Sequence, residues 1–158
     1  QLVAGFDSPV ALKLRLKLSS EGELSLESSP LPDVQPVVRL GLAQQPVHSQ
    51  GVYLRHKSTR REIYEQRRGA RADIDDVILF NERDEITETC IYNIYLIFGD
   101  QCFTPVLKSG LLPGVFRQDL IDRGRVTPKV LTISDLYEAD QIFVSNAVRG
   151  LMAAEWVR

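Results

Sequence analysis

The chain has 158 residues, 44% of them hydrophobic and 25% charged, with a formal net charge of −2, a composition typical of a single globular domain with its own core. The sequence contains no basic block and no apolar run of membrane-spanning length, and no signal peptide opens it. It therefore argues against nucleic-acid and membrane partners, and the cytoplasm is the expected location. Cys90 and Cys102 are too few for a disulfide framework, and no C-x-x-C motif or histidine pair predicts a metal site.

The first part of the chain predicts a β-hairpin. Apolar and charged residues alternate from Val10 to Leu18, which is the pattern of a half-buried strand. Ser19–Gly22 supplies the turn, and Leu24 and Leu26 continue on a return strand. Prolines then interrupt regular structure before a short strand is predicted at Val37–Ala43.

The rest of the chain alternates short strands with short helices. Thr59 and Glu62 fit a capping box, which predicts a helix from about Arg60 to Arg68 that ends at Gly69. Ser134 is expected to cap a short helix through Tyr137. The further elements predicted are strands at Asp76–Phe80, Asn81–Leu96 (after a turn at 82–85), Gln101–Thr104, Val130–Ile133 and Gln141–Ser145, and a helix from Val115 that stops at Gly124. Because strands predominate, the fold class is α+β with a barrel-like sheet.

Glu88 is conspicuous because it lies among apolar residues in the predicted strand Asn81–Leu96. A carboxylate buried there is costly unless a fixed positive charge meets it. A buried carboxylate is also what keeps a pyridine nitrogen protonated. The alternative interpretation is an edge strand with Glu88 facing water.

Lys57 stands immediately before the predicted capped helix and close to Arg55, Arg60 and Arg61. The helix N-terminus and the neighbouring cations would disfavour the ammonium form of this lysine. A free amine of this kind is competent to form a Schiff base. The alternative interpretation is an ordinary solvated lysine.

Two turns could bind an anion such as a phosphate. If a helix begins after Gly114, the first backbone N–H groups, those of Val115 and Phe116, have no partner inside the helix. Small side chains at Ser145-Asn146-Ala147, at the end of a predicted strand, would let backbone amides approach the same anion. In each case the alternative is a plain turn.

Taken in order, four segments resemble the larger domain of the fold-type IV pyridoxal-phosphate enzymes, which include branched-chain and D-amino acid aminotransferases and 4-amino-4-deoxychorismate lyase. The resemblance covers residues 11–155. The matching segments are His56–Arg61 at the Schiff-base lysine, Asn81-Glu82 with Ile86–Cys90 and Asn93 at the pyridine strand, Gly110–Arg117 at the phosphate turn, and Ser145–Gly150 at the final cofactor loop.

The resemblance implies a D-amino acid aminotransferase-like fold, with Lys57 as the catalytic residue and pyridoxal 5′-phosphate as the cofactor. It implies that Glu88 holds the ring nitrogen, and that the backbone amides of Val115, Phe116, Asn146 and Ala147 bind the phosphate. Arg61, Thr89 and Asn93 are expected to contact these cofactor-binding residues and hold them in position.

Within the family, the run His56–Arg61 and the loop Ser145–Gly150 resemble the lyase-like domains that occur alone or fused behind aminodeoxychorismate synthase. This resemblance implies release of 4-aminobenzoate and pyruvate from 4-amino-4-deoxychorismate, a step of folate biosynthesis. Three alternatives stay open: a branched-chain or D-amino acid aminotransferase, a non-catalytic dimerisation or regulatory domain of a fused synthase, and a plain structural β domain.

The resemblance also implies a division of the chain and a set of partners. Residues 1–50 would form the hairpin and a junction to a smaller N-terminal domain that this sequence lacks, and residues 51–158 would bind the cofactor. The substrate would be a small amine, the assembly a homodimer, and a fused or associated aminodeoxychorismate synthase a further partner. The 158 residues alone would bind the cofactor weakly and show little turnover.

Overall fold

A computed structural model describes residues 8–31, 36–69 and 71–158. Contacts divide the chain into two compact units, residues 1–34 and residues 35–158. Within the described residues the strands are β1 (Leu12–Leu18), β2 (Leu24–Pro30), β3 (Val37–Leu42), β4 (Asp76–Phe80), β5 (Ile86–Thr89), β6 (Asn93–Phe98), β7 (Gln101–Pro105), β8 (Thr127–Lys129), β9 (Gln141–Asn146) and β10 (Gly150–Trp156). The helices are α1 (Val52–Arg55), α2 (Glu62–Arg68), α3 (Val115–Asp122) and α4 (Ile133–Glu138), with a 3₁₀ turn at Leu107–Ser109.

The first unit contains the predicted hairpin. β1 and β2 pair antiparallel from Leu12 opposite Pro30 to Leu18 opposite Leu24. Gly22 takes the left-handed conformation, with φ of 86°, that the tight turn requires. On the face expected to be half-buried, Leu12 and Leu14 are half-buried, whereas Leu16 and Leu18 are 57% and 70% exposed.

The second unit is built on one mixed sheet of eight strands in the order β5-β4-β3-β10-β9-β6-β7-β8. β3 pairs in parallel with both β4 and β10, and β8 pairs in parallel with β7, whereas the other neighbours run antiparallel. The predicted α+β class and the strands at Asp76–Phe80, Gln101–Thr104 and Gln141–Ser145 are confirmed. β3 lies inside this sheet, between β4 and β10.

Two hydrophobic clusters hold the sheet. The larger cluster packs residues of the central strands with Leu131 and with Leu136 of α4; its other members include Leu40, Ile78, Ile94, Leu96 and Val144. The second cluster gathers Leu54 of α1 and Tyr64 of α2 against Val77, Leu79 and Cys90. The second cluster therefore fixes the two short helices that flank Lys57 on the sheet near β4 and β5.

The segment Asn81–Leu96 forms two strands, so the prediction of one continuous strand is wrong. The Asp76 carboxylate accepts hydrogen bonds from the backbone N–H groups of Cys90 and Ile91, at 3.3 and 3.2 Å. Thr89 Oγ1 accepts a bond of 2.9 Å from the N–H of Tyr92. These bonds make a turn, after which β6 joins β9 and β7 instead of β4.

Three local predictions are also wrong. The helix after Lys57 begins at Glu62 with Arg61 as its N-cap residue, and it has no side-chain cap, so the Thr59 capping box does not form. Val130–Ile133 is not a strand, because the chain pairs with β7 only at Thr127–Lys129. The cap of α4 is Thr132, whose capping box with Asp135 replaces the predicted Ser134 cap.

In the described part of the chain, no helix is both long and apolar enough to cross a membrane.

Candidate active site

Glu88 is the third residue of β5 and is only 4% exposed, although β5 is an edge strand. Its carboxyl accepts a hydrogen bond of 2.9 Å at Oε1 from the Tyr64 hydroxyl, and a second bond from the backbone N–H of Leu112. Burial raises the pKa of Glu88 to about 8, against the opposing effects of these two donors and of the Lys57 and Arg61 charges. The interpretation of Glu88 as a water-facing residue is therefore excluded.

Lys57 lies on the exposed connection between α1 and α2. Its ammonium group lowers the pKa of Glu88, so the two side chains lie within electrostatic range of each other. Lys57 is thus exposed and acts electrostatically on a buried carboxyl.

The loop before α3 is tied to Glu88 and to β6 through a single peptide group. The N–H of Leu112 donates to Glu88, and its carbonyl accepts a bond of 2.9 Å from Asn93 Nδ2. Gly114 follows so closely behind Asn93 that a Cβ on it would stand 2.0 Å from Asn93 Oδ1. The carboxyl of Glu88 and the turn that begins α3 are therefore held in a fixed relation.

Arg117 anchors the N-terminal turn of α3 to β7. This side chain is 1% exposed and donates to Thr104 Oγ1 at 3.2 Å and to the carbonyl of Pro105 at 2.7 Å, both in β7. The first backbone bond of the helix runs from Gln118 N–H to Gly114 carbonyl oxygen. The N–H groups of Val115 and Phe116 precede that bond and are available to an anion.

The loop after β9 meets the same helix end. A Cβ placed on Gly150 would lie 3.6 Å from the Phe116 ring, so the ring packs directly against this glycine. Asn146 Oδ1 accepts the N–H groups of Val148 and Arg149 at 3.0 and 2.9 Å and thereby closes the turn. Ala147 is exposed at the tip.

The three supporting residues have distinct contacts. Arg61 donates a bond of 2.6 Å to the carbonyl of Cys90, and its guanidinium lies 4.9 Å from the centre of the Tyr64 ring. Thr89 holds the turn after β5, and Asn93 holds Leu112. All three therefore fix backbone or side chains that surround Glu88.

Sequence reasoning missed Tyr64, Leu112 and the structural role of Arg117. The signal for Tyr64 was its place seven residues after Lys57 on a predicted helix whose other residues, except Ile63, are charged or polar. Arg117 stood at the end of the phosphate-turn motif without an assigned role. No local pattern indicated that a Leu112 peptide would contact Glu88.

A polar network joins the chain segment that enters α1 to the segment that enters the turn at Leu112. Ser49 Oγ and N–H donate to Glu82 at 2.6 and 2.8 Å, and Asn81 Nδ2 donates to the carbonyl of Ser109 at 2.9 Å. Gly110 has φ of 92° and lies so close to Ser49 that a Cβ would be 2.8 Å from its backbone. The chain entering α1 and the chain entering the Leu112 turn are thus packed on each other.

Gly114→Ala is expected to weaken this site through steric conflict, since Gly114 has φ of −63°, which any residue can adopt. The new Cβ must displace Asn93, at a cost of roughly 1–3 kcal/mol in the free energy of unfolding. The cofactor affinity should fall with it, because the turn that begins α3 moves. Chemical denaturation and a binding titration measure the two effects.

The control for this prediction is a double-mutant cycle with Asn93→Ala. If the conflict is with Asn93, the Gly114→Ala substitution should cost less in the Asn93→Ala background. An equal cost in both backgrounds would contradict the steric explanation.

The chain is similar to several known proteins. The family profile for amino-transferase class IV matches residues 11–155. A provisionally named aminodeoxychorismate lyase of Schizosaccharomyces pombe is 28% identical over 146 residues, which are 87% of this chain and 63% of that protein. The chain thus spans less than two thirds of the length of this relative.

Two crystal structures are also similar. A provisionally named amino-acid aminotransferase from Mesorhizobium loti has a TM-score of 0.89 at 36% identity, covering 95% of this chain and 75% of that one. A provisionally named 4-amino-4-deoxychorismate lyase from Legionella pneumophila has a TM-score of 0.78 at 25% identity, covering 84% and 52%. The similar proteins thus include both a lyase name and an aminotransferase name.

Proposed function

Because the chain belongs to the class IV aminotransferase family, whose members depend on pyridoxal 5′-phosphate, we propose that it forms the cofactor-binding part of a lyase. The reaction proposed is conversion of 4-amino-4-deoxychorismate to 4-aminobenzoate and pyruvate. The observation that carries the proposal is the buried carboxyl of Glu88, hydrogen-bonded to the Leu112 peptide beside α3 and within electrostatic range of Lys57. Similarity to proteins named as aminodeoxychorismate lyases favours this reaction.

The residues present fit this cofactor at three points. Among the described residues Glu88 forms no ion pair with a Lys or Arg, so no salt bridge competes with a cationic ring nitrogen for its carboxyl. The start of α3 offers backbone N–H groups to a phosphate, and the loop at Asn146-Ala147 lies beside that helix end. Lys57 offers an accessible primary amine to the aldehyde.

Each group has a defined task in the proposed reaction. The bound cofactor supplies an electron sink for the bonding electrons that a departing proton leaves behind. Lys57 Nζ would hold the cofactor in the resting enzyme and, with the substrate amine bound, would act as the general base. It removes the proton from the ring carbon that bears nitrogen. The electrons left behind expel the enolpyruvyl group from the adjacent carbon, and this group becomes pyruvate once protonated.

Glu88 would hold the ring nitrogen and stabilise its positive charge, and that charge would in turn favour the ionised carboxylate over the neutral acid. Val115, Phe116, Asn146 and Ala147 anchor the phosphate through backbone N–H groups, and Arg117 keeps the helix end in place. Arg61, Thr89 and Asn93 restrain the loops that carry Glu88 and Leu112.

Aminotransfer is the second candidate, and the 36% identity to the protein from Mesorhizobium loti favours it. The same base, anchor and carboxyl would serve that reaction. After proton removal, the amino group of a branched-chain or D-amino acid would be transferred to a keto acid.

The test uses the protein at its full natural length, loaded with pyridoxal 5′-phosphate and supplied with 4-amino-4-deoxychorismate. A lyase should release 4-aminobenzoate and pyruvate in equal amounts. Amino transfer to a keto acid without 4-aminobenzoate would identify an aminotransferase. Absence of both reactions would favour a non-catalytic dimerisation or regulatory domain.

The proposal extends to the setting of the protein. We place it in folate biosynthesis in the cytoplasm, as a homodimer, with a fused or associated aminodeoxychorismate synthase as partner. The division into residues 1–50 as a junction and residues 51–158 as the cofactor-binding domain remains part of this proposal.

A further inference from the structure

The pairing of Tyr64 with Glu88 is not explained by burial alone. Tyr64 is 7% exposed and lies in the hydrophobic cluster that packs α2 on the sheet, where a phenylalanine would fill nearly the same space. Its hydroxyl needs a partner at that depth, and the partner is Glu88 Oε1 at 2.9 Å. A buried polar pair of this kind, linking two elements, constrains the orientation of both groups.

The surroundings hold the phenol ring rigidly. Arg61 lies over the ring with its guanidinium carbon 4.9 Å from the centroid, and the same side chain is bonded to the carbonyl of Cys90. The ring is therefore fixed between α2 and the turn that follows β5. Together with the Leu112 N–H, its hydroxyl gives the Glu88 carboxyl two neutral donors from two different elements.

A neutral donor differs in its chemical effect from a cationic one. An arginine or lysine bonded to Glu88 would neutralise the carboxylate and weaken its hold on a ring cation. A phenol stabilises the carboxylate without adding a charge. Of the charged groups nearby, Lys57 and Arg61 act on Glu88 through space, and Arg117 on α3 lies close enough for Glu88 to affect its pKa.

From these contacts we propose that Tyr64 is a positioning residue for Glu88, which orients the carboxyl and keeps the shared proton on the pyridine nitrogen. The proposal rests on the proposed function, since it assumes that the ring nitrogen faces Glu88. One proton lies between nitrogen and carboxyl. The Tyr64 hydroxyl favours the arrangement with this proton on nitrogen, because it donates more strongly to the ionised carboxylate than to the neutral acid.

Without the hydroxyl, the carboxyl would bind the proton more tightly. In Tyr64→Phe the pKa of Glu88 should therefore rise above that of the wild type by about one to two pH units, the size of a hydrogen bond to a charged group. The proton would then pass from the ring nitrogen to the carboxyl, and the electron sink would weaken. The fold should persist, because the substitution removes one oxygen and keeps the ring.

The first measurement uses cofactor-free protein at its full natural length and follows the Glu88 side-chain carbon by NMR through a pH titration. The matched control is Tyr95→Phe, a second buried tyrosine whose hydroxyl bonds Ser145 Oγ at 2.6 Å. The Glu88 pKa should rise in Tyr64→Phe and stay unchanged in Tyr95→Phe. An unchanged Glu88 pKa in Tyr64→Phe overturns the proposal.

The second measurement compares binding of pyridoxal 5′-phosphate with that of its 1-deaza analogue, in which carbon replaces the ring nitrogen. The wild type should prefer the natural cofactor, and this preference should fall by about tenfold in Tyr64→Phe. An equal loss of affinity for both compounds would show a merely structural role and overturn the proposal. A wild type without any preference would instead refute the assignment of Glu88 to the ring nitrogen, so the two failures are distinguishable.

Discussion

We expect the protein loaded with pyridoxal 5′-phosphate to show an absorption band near the visible edge, and we expect Lys57→Ala to abolish this band. Turnover should fall by at least about 10³-fold, because in the proposed function this amine both binds the cofactor and moves the proton. The chain has five lysines, and Lys57 is the lysine whose charge acts on Glu88. An absorption spectrum and a product assay on the full-length protein measure both effects.

The control for this experiment is Lys13→Ala, which removes an exposed lysine from the hairpin and should leave both the band and the turnover intact. A small added amine should restore part of the proton-transfer activity to Lys57→Ala, since the variant keeps Glu88 and the helix end. A band that survives in Lys57→Ala would show that another amine holds the cofactor.

The elements predicted correctly are those whose pattern is local. Val77–Phe80 is a continuous apolar run, and Gln141–Ser145 contains the apolar run Ile142–Val144 between turns, so each strand could be predicted without knowledge of its partners. The helix before Gly124 ends where glycine takes a φ of 64°, which the sequence also indicates. These elements are sufficient to predict the fold class.

The wrong prediction of one continuous strand at Asn81–Leu96 arises because a distant residue decides the local structure. The break after Thr89 depends on Asp76, which lies 14 residues before Cys90 and binds the backbone of the turn. Without knowledge of that contact, the segment Ile91–Leu96, which is apolar except for Asn93, extends the strand pattern. The cap of α4 moved from Ser134 to Thr132 because Asp135, three residues after Thr132, completes a reciprocal pair.

The candidate site likewise contains residues that local motifs predict and contacts that only the packing of distant segments creates. The order of the motifs predicted Lys57, Glu88 and Val115 as site residues, because a family resemblance preserves residue types along the chain. The hydroxyl of Tyr64 reaches Glu88 across 24 residues of sequence, and the Leu112 peptide approaches from a third segment. Such contacts follow from packing of α2 and of the turn before α3, and no spacing rule encodes them.

Glu88→Gln is expected to stabilise the cofactor-free protein at high pH while weakening cofactor binding. Burial raises the pKa of Glu88 from its ordinary 4.5 to about 8, so between these values the folded protein holds a proton that the unfolded chain releases. The stability that the neutral carboxyl contributes is complete below about pH 4.5 and is lost as the pH rises through about 8. Above that pH the wild type carries a buried carboxylate, and the variant does not.

The free energy of unfolding of the cofactor-free variant should therefore exceed that of the wild type by roughly 3–5 kcal/mol at pH 9 and by less than about 1 kcal/mol at pH 5. Denaturant titrations at pH 5, 7 and 9 measure this difference. Glu85→Gln is the control of opposite sign, because Arg83 holds the pKa of Glu85 at about 2 and its carboxylate stabilises the fold throughout this range. That variant should lose stability equally at all three pH values. If the stability of Glu88→Gln does not rise with pH relative to the wild type, Glu88 is ionised in the cofactor-free protein. If stability rises and cofactor affinity is lost, the buried carboxyl lowers the stability of the fold but is needed to bind the cofactor.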